Sequence, residues 1–167
     1  MMVFRSALVA ALLAVPTLSP AQNAPAVQSA ALSARPGWVI HATPHAFATL
    51  VERVEKAVQA NQMGLVNTAS ASEGAKAQGF SIAGNRVIGV FRNDYARRML
   101  AASIPAGIEA PVRLYLTENA DGKATLSYRT PTAVFGPYFE GAGADLHKLA
   151  EELDAIFAKI ADEARQP

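Results

Sequence analysis

The sequence predicts an α+β domain of two layers, with helices packed on one face of a mainly antiparallel sheet. Three observations carry this. Apolar side chains recur at helical spacing in two long segments, Phe47 to Val58 and Leu146 to Ile160. Residues 112–129 alternate apolar and polar side chains on either side of the turn sequence "NADG". Short β-branched runs, among them "NRVIGVF", separate the helical segments. A helix and a half-wet sheet each bury one face, and the two faces meet in a single core.

The first 21 residues stand apart. "MMVFR" supplies one positive charge, and the short apolar run "SALVAALLAVPTL" follows, ending near small residues. This is the pattern of a secretory signal peptide, with Ser19 and Ala21 at positions −3 and −1 of a cut before Gln22. The run is far short of the roughly 20 apolar residues that span a bilayer, so no stable membrane anchor is expected after cleavage. The expected location is periplasmic or secreted. Residues 22–36 are small, polar and interrupted by proline, which reads as a flexible leader; a single domain is expected over 37–165.

Within that domain "WVIHA" opens as a strand. Thr43 and Pro44 suit an N-cap and a first-turn position, so a helix is expected over about 45–61. "LVNTAS" alternates as a strand, and "SEGAKAQG" offers one or two helical turns from a Ser72 cap to Gly79. Arg86 to Phe91 reads as a buried strand, and Asn93 as the cap of a helix through Ser103. Val112, Leu114 and Leu116, with Ala124, Leu126 and Tyr128 on the returning strand, form the apolar face of a hairpin. Thr125, Ser127 and Arg129 fall on its wet face. A long amphipathic helix closes the domain.

Composition excludes several chemistries. The chain has no cysteine, hence no disulfide, no thiol nucleophile, no thiolate metal site and no cysteine for lipid attachment. Removing residues 1–21 deletes Arg5 and leaves Lys+Arg balanced by Asp+Glu, so nothing favours nucleic acid as a partner. His41 and His45 are four apart but fall on a strand and beyond the Thr-Pro pair, which does not place them on one helix face; no metal site and no cofactor are expected. His147 beside Asp145, or His41, is the candidate general base of an alternative, hydrolase-type reading, but no G-x-S-x-G motif accompanies either. The glycine-rich stretches match neither dinucleotide nor P-loop patterns.

The candidate ligand contacts lie around "FRNDYARRML". Asp94 stands four before Arg98, a favourable helical pair that gives Arg98 a structural role. Arg92 and Arg97 would then flank an anion at the helix start, with Asn93 and Tyr128 beside them. These four residues, Arg92, Asn93, Arg97 and Tyr128, are the expected ligand-binding set, and no catalytic residue is assigned.

From Gly64 to Pro131 the chain resembles the bacterial family catalogued as domain of unknown function 302. The resemblance rests on "VIGVFRNDYARRMLAASIPAGIEAPVRLYLTENADGKATLSYRTP", in which Phe91, Asn93, Met99, Leu100, Pro111, Asp121, Gly122, Lys123, Ser127, Tyr128 and Pro131 stand at matching places. Arg92 replaces a motif glycine and Asp94 a motif proline. The resemblance implies a β-α-β(4)-α domain and a homodimer, and no catalytic residue. The combined expectation is a small exported domain of the bacterial envelope, non-catalytic, whose partner is a small molecule or an envelope protein. A structural dimer scaffold is the other alternative.

Overall fold

The computed structural model describes residues 32–142 and 144–167; the signal-peptide reading and most of the leader fall outside them. Five strands and five helices follow in the order β1 (Trp38–Ala46), α1 (Phe47–Ala60), β2 (Gly64–Ala69), α2 (Ala71–Ala77), β3 (Asn85–Phe91), α3 (Asn93–Ala102), β4 (Val112–Glu118), β5 (Lys123–Arg129), α4 (Pro131–Phe135) and α5 (Ala144–Arg165). The strands form one antiparallel sheet in the order β1-β5-β4-β3-β2. With α2 and α3 as short insertions, this is the expected β-α-β(4)-α plan, α+β in class.

The helices share one core with one face of the sheet. Leu50, Val54 and Val58 of α1, Leu149, Phe157 and Ile160 of α5, and Ile88, Leu114, Leu116 and Leu126 of the strands are all buried in a single cluster. The 3.6-residue period of the helices and the two-residue period of the strands bring these apolar sets together. Burying each such side chain stabilises the fold by roughly 1.5–3 kcal/mol before chain entropy is counted.

The hairpin β4–β5 has the predicted apolar face, in a register that sets Leu114 opposite Tyr128 and Leu116 opposite Leu126, with Gly122 at φ +76° in its turn. Several local readings need correction. Thr43 is not a helix cap: β1 continues through Thr43 and Pro44 to Ala46, and the Thr43 hydroxyl donates to the Ala124 carbonyl at 2.7 Å. Pro44 is tolerated because β1 is an edge strand whose register shifts between Ala42 and Ala46. The α2 cap is Ser70, which accepts from the Glu73 amide, while Ser72 bonds Asn85. The hydroxyl face of β5 is not wet. Thr125 and Ser127 are 7% and 0% exposed, and Ser127 donates to the Tyr115 carbonyl. Flanked by β1 and β4, Ser127 lies between Ile40 and Tyr115, whose larger side chains shelter it. Helix α4, started by Pro131 and capped by Thr130, was not foreseen.

Candidate functional site

The expected ligand set divides. Arg92, Asn93 and Arg97 do lie together in the first turns of α3, but the N-cap is Arg92, without a side-chain cap bond, and Asn93 is the first helical residue. The Arg92 guanidinium is bound to the Asp94 carboxylate through two bonds of 2.7 and 3.1 Å, and lies 4.4 Å from the centre of the Tyr95 ring. That bond holds the Asp94 carboxyl below the usual carboxylate range and raises Arg92. Arg98 does not pair with Asp94. It crosses to α5 and makes two bonds with Glu152, at 2.7 and 3.0 Å, while covering the same Tyr95 ring at 5.2 Å. The charges that suggested an anion site are thus largely spent inside the protein. Of the three arginines of this segment, Arg97 is the one that makes no ion pair among the described residues.

Tyr128 is separate from the other three. It is 3% exposed on the core-facing side of β5, its ring packs on Phe157 at 5.7 Å, and burial pushes its hydroxyl up to about 12. Beside Arg92 there is an apolar cavity of about 30 Å³ lined by Met63, Tyr95, Met99 and Phe157. It is of water size and too small for a metabolite.

The histidines also disperse. His45 Nε2 meets the Gln166 carbonyl at 2.7 Å, near the end of α5. His41 faces the same end, where burial and then Arg165 lower its pKa. His147 lies in the first turn of α5, against Phe139 and Glu151. From residue 147 to residue 166 the helix rises roughly 28 Å, so His147 and His41 do not share a site. Among the described residues no three His, Asp or Glu side chains assemble as metal ligands.

A different surface has the dimensions of a ligand site. Alternation sends Trp38, Arg129, Arg113 and Gly89 to the face of the sheet away from the core, together with Ile40, Ser127, Tyr115 and Val87 one step along the strands. Register aligns them in rows. Trp38 pairs with Arg129, Gly89 with Arg113 and with Asn67, and the β4–β5 register carried one residue further sets Arg113 opposite Arg129. The second row runs Ile40, Ser127, Tyr115, Val87, Ala69. An open groove of about 510 Å³ crosses this face from Trp38 on β1 to Ala69 on β2. Val87, Arg113, Tyr115 and Arg129 line it, with Glu109 on its rim; Tyr128, the one residue of the expected set that borders it, turns its ring to the core side of β5.

Gly89 keeps the floor of this face flat. A Cβ there would lie 1.9 Å from Asn67 Oδ1 and 2.7 Å from Pro111 Cγ, so both neighbours close over β3 only because the side chain is missing. Arg35, just ahead of β1, stacks on Trp38 with 5.6 Å between guanidinium and ring. The groove therefore joins an indole, a phenol ring and two guanidinium groups, with the Arg35 guanidinium stacked on the indole. No signal in the sequence marks it, because its parts lie up to 94 positions apart, from Arg35 to Arg129, and meet only through strand register.

Comparison with known proteins agrees with this architecture. No curated protein matches the chain. Among solved structures, the crystal structure of an uncharacterized conserved protein DUF302 from Bacillus stearothermophilus superposes with a TM-score of 0.69 at 17% identity. That similarity covers 78% of this chain and all of the other, and shows a common fold. The model of the domain of unknown function DUF302 matches residues 39–164, from the first strand to the end of α5. The chain belongs to the DUF302 family.

Proposed function

We propose that the protein is an exported, non-catalytic binding module of the bacterial envelope, periplasmic or secreted after removal of residues 1–21, and that it holds a small molecule in the groove on the open face of the sheet. The observation that carries this reading is the groove itself. Its 510 Å³ lie within the range of small-molecule sites, and it combines aromatic surface with a few convergent polar groups. The site moves from the start of α3 to the sheet because Arg92 and Arg98 already have carboxylate partners. The hydrolase alternative has less support: its two candidate bases, His41 and His147, stand toward opposite ends of α5.

The homodimer belongs to the same proposal. Strand β2 is an edge with most of its residues exposed, Val66 among them, and an unpaired edge of this kind accepts a second copy without covering the groove.

Native mass spectrometry of the protein recovered gently from its host's envelope fraction tests the reading. A cleaved N-terminus with added mass that is lost on denaturation supports it. An uncleaved chain in the cytoplasmic fraction, or a clean mass with no adduct, contradicts it.

A further inference from the structure

We propose that the groove is specific for a planar organic anion: an aromatic or heteroaromatic carboxylate, with its carboxylate held by Arg113 and Arg129 and its ring lying between Trp38 and Tyr115. The inference rests on the reading of the groove as a binding site and adds the chemistry of what it binds.

The argument begins with how the chain neutralises its arginines. Arg86 pairs with Glu55 and Glu73, Arg92 with Asp94, Arg98 with Glu152 and Arg165 with Asp162. Arg53 has no acid but donates to the carbonyls of Glu163, Ala164 and Gln166 at the end of α5, where positive charge suits the helix dipole. Arg97, exposed on α3, makes no ion pair among the described residues and lies outside the groove, whereas Arg35, Arg113 and Arg129 gather at or beside it. Among the described residues none of the three reaches a carboxylate; Arg113 and Arg129 line the groove, and Arg35 stacks on its Trp38. The Arg129 guanidinium donates to the Ala133 carbonyl at 2.7 Å. The acid on the rim, Glu109, accepts from the Tyr138 hydroxyl at 3.0 Å.

The β4–β5 register, carried one residue beyond the Leu114–Tyr128 pair, moreover sets Arg113 opposite Arg129, and like charges at opposed positions destabilise a strand pair. An anion between them removes that penalty. A carboxylate suits the position, since two oxygens match the forked donors of a guanidinium.

The body of the ligand follows from the next row. Trp38 and Tyr115 both line the groove, on the two strands that flank β5. Those two strands are two spacings apart, roughly 9.5 Å, a separation that lets one flat ring contact both aromatic side chains. Arg35, stacked on the outer face of the Trp38 region, keeps the local potential positive and orders the indole.

The test uses the chain's single tryptophan as its reporter. The exported form, labelled with nitrogen-15, is titrated with 2-naphthoate and separately with uncharged 2-naphthamide, following the Trp38 indole N–H resonance by NMR and affinity by calorimetry. The expected result is that naphthoate shifts the indole resonance and binds at least tenfold tighter than the amide. The R113Q/R129Q double variant should lose at least tenfold in naphthoate affinity, about 1.4 kcal/mol. Should that variant fail to fold, the salt dependence of wild-type binding decides: naphthoate affinity falls with added salt and amide affinity does not. Equal binding of both probes with an indole shift overturns the anion claim and leaves the groove as a binding site. Naphthoate binding that leaves the indole unmoved and the double variant unaffected overturns both. No naphthoate binding at millimolar concentration overturns the carboxylate claim, while the groove itself is then judged by the adduct mass of the native protein.

Discussion

Trp38 on β1 pairs directly with Arg129 on β5, so that the chain's one indole and an arginine with no carboxylate partner among the described residues stand side by side on the open face of the sheet. Arg113 continues the row on β4. Two guanidinium groups held in adjacent strands favour a ligand at the expense of the empty fold. Replacing Arg113 by Gln is therefore expected to stabilise the ligand-free protein, by about 0.2–1 kcal/mol, the size of a like-charge pair across strands. Urea unfolding of the two proteins at low salt measures it. A loss of stability would mean that Arg113 makes a structural contact instead.

Gly89 is the position where the sheet tolerates least. With Asn67 Oδ1 only 1.9 Å from an added Cβ, Gly89→Ala forces Asn67 and Pro111 aside. The expected cost is about 1–3 kcal/mol, typical of overpacking, read from the midpoint of urea unfolding. An unchanged midpoint would show that β2 yields freely at its register shift.

The Arg98–Glu152 bond ties α3 to α5, but 46% of the Arg98 side chain and 34% of the Glu152 side chain are exposed. Water screens the pair, so a double-mutant cycle with Arg98→Ala and Glu152→Ala should give a coupling of only about 0.2–1 kcal/mol, falling further at high salt. Coupling well above that range would assign the Tyr95 stack a larger part than the geometry suggests.

How legible this was in the sequence varied with the range of the interactions. The β4–β5 hairpin and α5 could be read directly, because their alternation and helical period are local and agree with the core they face. Thr43 misled because its hydroxyl is used 81 positions away, on the Ala124 carbonyl. The cluster at Arg92 looked like an anion site because sequence cannot show that Asp94 folds back two residues and that Glu152 arrives from 54 positions on. Ser127 read as wet for the opposite reason, since a hydroxyl on an alternating strand gives no hint that Ile40 and Tyr115 will enclose it. The groove is a product of register, and register between β1, β5 and β4 has no local signature.

His41 supplies a pH dependence. Its pKa is lowered chiefly by burial, with Arg165 adding to the effect and Asp162 opposing it. A histidine whose folded pKa lies below the unfolded value of about 6.5 favours the neutral, folded form. Its contribution is complete above that value and is lost as the pH falls through it toward the lower folded pKa. Urea unfolding followed from neutral to mildly acidic pH should show this loss in the wild type and a flatter profile in His41→Gln. Identical profiles would place the imidazole in solvent.

The central claim is that the open sheet face holds a ligand. The most direct measurement compares native mass spectra of the wild-type protein and the R113Q/R129Q variant, each recovered from the host envelope under the same gentle conditions. The account predicts a bound species on the wild type that dissociates on denaturation and is missing from the folded variant. The same adduct on both proteins, or a bare mass for both, would contradict it.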